Sequence, residues 1–258
     1  IQMISLSNKE NSTDTDRPHP LFAALVENAR AKADDAALVT PGKTLTWRQL
    51  AEKVDQVASA LYEAGLQLGE RCAIIAGNSV EHVLVMLGIS RAGGVTTPMS
   101  LLLKSETLSR LLADARPRFV FIDRFGRECL GDQQFDEVEM VVLDDPASFS
   151  GFLQSASGKL PPMPQPEDPF SIIYSSGTTG VPKGIVHSHS ARSGYGDLFA
   201  SEYGIDRNSI ALLTTALYSN ASWRLLLPAG FSGGSLVMPS KQRPKGLCVS
   251  VHNYGITT

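Results

Sequence analysis

The chain has 258 residues, of which 43% are hydrophobic, and this length allows one large or two modest domains with a sizeable core. Its 23 Lys and Arg residues against 26 Asp and Glu residues give a formal charge of -3, which leaves no positive excess to bind nucleic acid or an anionic membrane surface. The longest apolar runs are far shorter than the ~20 residues that a membrane-spanning helix requires, so no membrane span is expected.

Cysteine usage and the N-terminal segment indicate the compartment. Cys72, Cys129 and Cys248 are far apart and form no CxxC pair, which argues against a disulfide framework and against a thiolate metal site. Residues 1–16 lack the charged start, the apolar block and the cleavage site of a secretory signal. We therefore expect residues 1–19 to be a flexible polar leader and the protein to be cytoplasmic.

Helix and strand patterns alternate between residues 20 and 157. Thr46 and Gln49 have capping-box spacing, and apolar residues then recur at helical intervals until Gly65. Two further helices are predicted to begin at the caps Asn78 and Ser105 and to run towards Arg91 and Ala115, and strands are predicted at 72–76, 93–99, 119–122 and 139–143. This alternation predicts an α/β fold with mainly parallel sheets flanked by helices, and a first subdomain at 20–157.

The stretch from Gly158 to Pro169 contains five prolines, Pro169 included. They disfavour both helix and inner strand, so residues 158–169 are predicted to form a connection. After it, strands are predicted at 170–174, 210–214 and 235–238, and helices within 190–200 and near 221–227. The last segment predicts a helix that ends at Gly255 and then the start of a strand, so we expect residues 170–258 to be a second α/β subdomain that is truncated at its C-terminus.

The segment from Ser175 to Lys183 reads SSGTTGVPK and follows the predicted strand 170–174. Glycines let the backbone approach phosphates, hydroxyls donate hydrogen bonds and a lysine neutralises charge, so the segment predicts a nucleoside triphosphate site. A Walker loop is excluded because Lys183 is followed by Gly184 rather than by Ser or Thr, and a Rossmann site is disfavoured because no GxGxxG follows an early strand. The alternative is a surface loop rich in Gly, Ser and Thr, which the apolar lead-in and Pro182 disfavour.

This segment resembles the phosphate loop of the adenylate-forming superfamily, which contains acyl-CoA synthetases, adenylation domains of peptide synthetases and luciferases. Residues 45–50 (LTWRQL) and 91–98 (RAGGVTTP) are similar to two further landmarks of that family, in the same order. Residues 218–220 (YSN) lie where the family places an aromatic-centred segment at the acyl pocket, although Ser219 replaces the His of many members. The resemblance covers 20–258 and about the first half of a family member. The family's later motifs supply an acidic Mg²⁺ ligand, a ribose-binding Asp, a hinge and a mobile domain with a catalytic Lys, and they are not assigned here.

The resemblance implies an ATP-dependent carboxylate-CoA ligase. A carboxylate attacks the α-phosphorus of ATP and expels pyrophosphate, and the thiol of coenzyme A then attacks the acyl-adenylate. The implied cofactors and co-substrates are ATP, Mg²⁺ and coenzyme A, and the implied partner is a small carboxylic acid. The implied catalytic residues are Lys183 and Thr178. The ATP phosphates would be held by Ser175, Ser176, Gly177, Thr178, Thr179, Gly180 and Lys183, and the acid by Tyr218, Asn220 and Trp223.

Two other functions stay open. One is an amino-acid adenylation domain of a peptide synthetase, which the absence of an adjoining carrier-protein sequence disfavours. The other is an inactive truncated fragment that at most binds nucleotide. His187 and His189 form a possible imidazole pair, but no Asp, Glu or Cys lies nearby in the sequence to complete a ligand set, so no metal site is predicted. The sequence does not indicate which acid is used or the oligomeric state.

Overall fold

The computed structural model describes residues 20–131, 138–175, 182–239 and 244–258. The described helices are α1 (Pro20–Ala31), α2 (Trp47–Glu63), α3 (Val80–Arg91), α4 (Ser105–Ala115), α5 (Arg124–Leu130), α6 (Pro146–Gln154), α7 (His189–Tyr203), α8 (Trp223–Ser232) and α9 (Pro244–Tyr254). The described strands are β1 (Ala36–Thr40), β2 (Lys43–Thr46), β3 (Arg71–Ile75), β4 (Val95–Pro98), β5 (Phe119–Ile122), β6 (Glu139–Val142), β7 (Pro169–Ser175), β8 (Lys183–Ser188), β9 (Ile210–Leu212) and β10 (Ser235–Val237).

These strands form two sheets. The large sheet has the order β6-β5-β3-β4-β7-β8, and the small sheet has the order β2-β1-β10-β9. Strands β7 and β8 pair antiparallel, as do β1 and β2, and every other neighbouring pair is parallel. The predicted α/β fold with mainly parallel sheets flanked by helices is therefore confirmed.

The central strand β3 is buried on both faces. Cys72 and Ile74 belong to the main apolar core, which also contains side chains of the small sheet and of α1, α2, α3 and α8. Ala73 and Ile75 point to the opposite face and pack in a second cluster with side chains of α4 and α5. Helices therefore cover both faces of the large sheet, which explains why its parallel strands read as continuous apolar runs.

The helix caps confirm one sequence prediction and correct two. At the start of α2, the Gln49 N–H donates to Oγ1 of Thr46 over 3.3 Å and the Thr46 N–H donates to Oε1 of Gln49 over 3.1 Å, so the capping box is present. The cap of α3 is Ser79 rather than Asn78, because the Asn78 side chain bonds elsewhere. Ser105 is the first residue of α4 rather than its cap, and its hydroxyl donates to the Leu130 carbonyl over 2.8 Å.

The sequence patterns missed α1, β1, β2, α5, α6 and β8. Each sheet also takes strands from both sides of residues 158–169, since β1 pairs with β10 and β4 pairs with β7. Both sheets thus contain strands from before and after the predicted connection. The division into subdomains 20–157 and 170–258 stays a prediction.

The last residues lie beside the small sheet. Helix α9 ends at Tyr254 and Gly255 has a φ of 61°, so the predicted helix end is confirmed. Beyond it, the Thr257 N–H donates to the Ile210 carbonyl over 3.0 Å and so extends the hydrogen bonding at the edge of β9. Across the described ranges, no helix has the length and apolarity needed to cross a membrane.

Candidate active site

The first and last residues of the predicted phosphate loop, Ser175 and Lys183, lie in the paired strands β7 and β8. The strands pair with Ser175 opposite Lys183 and with Ser171 opposite His187. The structure therefore places the two ends of the loop side by side. The other residues predicted to hold phosphates lie outside the described residues: Ser176, Gly177, Thr178, Thr179 and Gly180.

One face of this hairpin connects the loop end with the protein interior. Side chains directly opposite each other in an antiparallel pair lie on the same face, and successive side chains alternate between faces. We call the face that includes the loop ends the loop face, and its residues are Ser171, Ile173 and Ser175 of β7 and Lys183, Ile185 and His187 of β8. Lys183 and His187 are about 13 Å apart along β8 at ~3.3 Å per residue. The loop face thus extends from the exposed Lys183 to the half-buried His187.

Arg192 of α7 contacts the inner end of the loop face. Its Nε and Nη2 donate to Oγ of Ser171 over 3.1 and 3.0 Å, and its Nη2 lies 3.4 Å from Nδ1 of His187. Its Nη1 donates to Oδ1 of Asn220 over 2.8 Å. A single guanidinium therefore connects both strands of the hairpin to a residue that the sequence assigns to the acid substrate.

The Arg192 side chain is a buried cation. It is 1% exposed, and its guanidinium carbon lies 4.5 Å from the centroid of the Trp223 ring, which is a cation–π geometry. Burial lowers the pKa of Arg192 to about 10, so the guanidinium stays charged at neutral pH. Burial and the charge of Arg192 together lower the pKa of His187. The inner end of the loop face is therefore electropositive.

The sequence reasoning did not identify Arg192. The buried residues of α7 are His189, Arg192, Ser193 and Gly196, which have the spacing of the inward side of a helix. A search for apolar periodicity passes over them because they are not apolar. Polar residues at that spacing, directly after a predicted phosphate loop, are the signal that would have identified this site.

The three residues predicted to bind the acid differ in exposure. Asn220 is exposed and Tyr218 is partly buried. Trp223 is 2% exposed, and its ring meets the Phe170 ring edge-on with centroids 5.5 Å apart, so it is part of the core. The structure brings Asn220 and Trp223 together around Arg192, and the assignment of all three residues to the acid stays a prediction.

The backbone before Asn220 is fixed by Asn78, which follows β3. The Asn78 Nδ2 donates to the Thr215 carbonyl over 3.0 Å, and the Leu217 N–H donates to Oδ1 of Asn78 over 2.8 Å. Within the segment, the Ser222 hydroxyl donates to the Ser219 carbonyl over 2.7 Å. The carboxyl end of the central strand of the large sheet thus positions the segment that carries Asn220.

The opposite face of the hairpin lines an open polar cavity of about 530 Å³. There the Tyr174 hydroxyl donates to Oδ2 of Asp114 over 2.6 Å, and burial together with this carboxylate raises the pKa of Tyr174. Arg71 and Lys183 also line this cavity. Lys183 is exposed and also lies at the outer end of the loop face.

The two histidines after the loop lie in different elements. His187 is on β8 beside Arg192, whereas His189 begins α7 and packs edge-on against Phe170, with ring centroids 4.8 Å apart. In the part of the chain that the structure describes, no group of three or more His, Cys, Asp or Glu side chains is arranged to hold a metal ion.

Comparison with known proteins gives a family match over most of the chain. The model of the family described as AMP-binding enzyme matches residues 25–258. Tyrocidine synthase 1 of Brevibacillus parabrevis is 28% identical over 225 residues, which is 87% of this chain and 20% of that protein. Fatty acid--[acyl-carrier-protein] ligase ScoC of Streptomyces coeruleorubidus is 31% identical over 198 residues, which is 73% of this chain and 37% of that ligase.

The fold is similar to that of solved structures. The inhibitor-bound N-terminal domain of FACL13 from Mycobacterium tuberculosis aligns with a TM-score of 0.84 and 21% identity, and the alignment covers 93% of this chain and 62% of that chain. The chain thus spans less than two thirds of the length of each of these three proteins.

Proposed function

Because the chain belongs to the AMP-binding enzyme family, we propose that it acts in an ATP-dependent carboxylate-CoA ligase, which forms an acyl-adenylate and then an acyl-CoA thioester. Members of this adenylate-forming family use ATP and Mg²⁺ and take a small carboxylate substrate. The observation that carries the proposal is the loop face. It connects the loop ends Ser175 and Lys183 with the contact between Arg192 and Asn220.

The proposed reaction begins when a carboxylate oxygen attacks the α-phosphorus of ATP and pyrophosphate leaves. Lys183 neutralises the charge that grows on the leaving pyrophosphate, and the Ser175 hydroxyl donates to a phosphate oxygen. Both effects lower the barrier because they strengthen as charge develops. The thiol of coenzyme A then loses its proton to water as its sulfur attacks the acyl carbon, and AMP leaves with the electron pair of the broken bond.

The described residues contain no cluster of three or more His, Cys, Asp or Glu side chains suited to a metal ion. No step of the mechanism is therefore assigned to the metal.

A second candidate function is amino-acid adenylation in a peptide synthetase. The similarity to tyrocidine synthase 1 supports it, whereas the similarity to the fatty acid ligase ScoC supports activation of an acid without an amino group. Both functions share the first step and differ in the acid and in the thiol that accepts the acyl group. The acid specificity and the acceptor therefore separate the two candidates.

The first test is carboxylate-dependent exchange of labelled pyrophosphate into ATP by the purified 258-residue chain, with a panel of short, medium-chain, aromatic and amino acids. We expect Lys183→Ala to lower the exchange rate by about 10²-fold, the scale of removing one donor that stabilises a transition state. Formation of an acyl-CoA thioester on addition of coenzyme A then identifies the ligase.

The matched control is Lys104→Ala, which removes an exposed lysine whose side chain does not cap α4. It should exchange at the wild-type rate. Equal loss in both variants would argue against a specific role for Lys183. A folded chain that shows no exchange with any acid would reject catalysis by this chain and favour a fragment that at most binds nucleotide.

A further inference from the structure

The positive charge of Arg192 is paired only with neutral groups among the described residues. Its donors reach the Ser171 hydroxyl and the Asn220 amide oxygen, its Nη2 lies beside the His187 ring, and its guanidinium stacks on Trp223. The ion pairs found in the described ranges include Arg48, Arg91 and Arg110, but not Arg192. A buried charge normally has a partner of opposite sign, so this site differs from the usual arrangement.

Another buried arginine of the same chain shows the usual arrangement. Arg91 is 6% exposed, and its Nε lies 3.3 Å from Oδ1 of Asp55. Its Nη1 also donates to the Pro161 carbonyl over 3.2 Å. The buried guanidinium of Arg91 is thus paired with a carboxylate. The guanidinium of Arg192, which lies next to the predicted acid site, is paired with no carboxylate of the described residues.

The hydrogen bond between Arg192 and Asn220 also fixes the direction of the amide. Because Oδ1 of Asn220 accepts from Nη1 of Arg192, the amide NH₂ group points away from the guanidinium. Asn220 is exposed, so this NH₂ group can donate to a molecule bound beside residues 218–220. The site therefore presents a hydrogen-bond donor in front of a permanent positive charge.

We propose that Arg192 is a specificity-determining residue that makes this site select acids without an amino group over amino acids. The inference rests on the proposed function, since it names the substrate class of that site. An ammonium group beside Asn220 meets the like charge of Arg192 and an N–H donor, with which it cannot form a hydrogen bond because it has no acceptor. An acid that presents an apolar group or a hydrogen-bond acceptor has neither penalty. The arrangement therefore disfavours amino acids through charge repulsion between Arg192 and their ammonium group.

The test compares acids that differ only in the amino group. The pairs are 3-phenylpropionate with phenylalanine and 4-methylpentanoate with leucine, assayed by pyrophosphate exchange. Because like charges repel, more strongly at an intermediate dielectric than in bulk water, we expect wild type to favour the acid without the amino group by roughly 10- to 100-fold. In Arg192→Met this preference should fall at least 10-fold, because the charge is removed and much of the volume is kept.

Two further variants separate charge from packing. Arg192→Lys keeps the charge and should keep the preference even if it loses hydrogen bonds. Ser171→Ala removes an acceptor of the guanidinium and keeps the charge, so it too should keep the preference. Thermal unfolding checks that each variant is folded. A preference unchanged in folded Arg192→Met, or lost equally in Arg192→Lys, would overturn the proposal.

Binding provides a readout that does not depend on turnover. Calorimetry with the 5′-O-sulfamoyladenosine analogues of 3-phenylpropionyl-adenylate and phenylalanyl-adenylate should show the same preference and the same loss in Arg192→Met. If both analogues bind with equal affinity to wild type, Arg192 does not set the substrate class. Binding with the expected preference but no exchange would reject the proposed function of this chain and retain the role of Arg192.

Discussion

His82 is fully buried on α3, with Nδ1 3.0 Å from the Gly77 carbonyl oxygen, and burial lowers its pKa from 6.5 to about 4. Above pH 6.5 the imidazole is neutral in both the folded and the unfolded chain. Between pH 6.5 and about pH 4, the unfolded chain binds a proton at His82 that the folded chain does not bind. The free energy of unfolding therefore decreases as the pH is lowered through this range. The loss should reach about 3 kcal/mol.

Urea unfolding between pH 7.5 and pH 4 measures this dependence. His82→Gln keeps an amide donor that can reach the Gly77 carbonyl but removes the titrating ring, so its unfolding free energy should vary less with pH than that of wild type. The comparison isolates His82, because every other residue is the same in the two proteins. Parallel pH profiles of the two proteins would show that the burial of His82 does not cause the acid sensitivity.

At the scale of elements, the contact between α2 and α3 depends on Gly88. A methyl group at this position would meet the Cβ and Cγ1 of Val57, and Gly88 is buried at the helix crossing. We expect Gly88→Ala to lower the unfolding free energy by about 1–3 kcal/mol, because overpacking outweighs the better helix propensity of Ala. Chemical denaturation measures this change.

Gly151 of α6 is the control for Gly88, because a methyl group there has nothing within 4 Å. Gly151→Ala should raise the unfolding free energy by up to about 1 kcal/mol. The double variant Val57→Ala with Gly88→Ala should recover part of the unfolding free energy lost in Gly88→Ala, because it removes the Cγ1 that the new methyl group would meet. A stabilising Gly88→Ala substitution would mean that the two helices separate easily.

The patterns that predicted the central strands and α2 depend on burial, since β3, β4 and β5 are almost continuously buried and the buried residues of α2 recur at helical spacing. Among the missed elements, β1 and β2 each have too few buried residues to show such a pattern. Strand β8 has mostly exposed residues and lies at the edge of the large sheet, where its pairing with β7 rather than its own sequence makes it a strand. Asn78 was predicted as a cap because its type fits, but a contact 137 residues away along the chain uses its side chain.

The sequence predicted some residues of the candidate site but not Arg192. The residue types of the segment 175–183 predict a phosphate site, and the segment 218–220 is assigned to the acid through the family resemblance; both assignments stay predictions. Arg192 was missed because its role depends on contacts with Ser171 and Asn220, which are brought together only when α7 packs against the hairpin and α8. The spacing of polar residues along α7 marks the inward side of the helix, but it does not show which groups Arg192 contacts there.

At the scale of the whole molecule, Asn78 connects the two sheets. It follows β3 of the large sheet, and its amide bonds the backbone of Thr215 and Leu217, which follow β9 of the small sheet. Asn78→Ala leaves the Leu217 N–H and the Thr215 carbonyl without this partner. We expect the unfolding free energy to fall by about 1–3 kcal/mol, the cost of unsatisfied buried polar groups.

The effect of Asn78→Ala should also reach the candidate site, because the released backbone leads directly to Asn220. Hydrogen exchange followed by mass spectrometry should show faster exchange at 215–222, with little change in α6. Asn78→Asp keeps the acceptor for Leu217 and loses the donor to Thr215, so it should lie between Asn78→Ala and wild type. Asn208→Ala, at an exposed turn where the backbone N–H of Asn208 bonds Asp206, should leave both measurements unchanged. If Asn78→Ala lowers the unfolding free energy but leaves exchange at 215–222 unchanged, then Asn78 stabilises the fold without positioning the site.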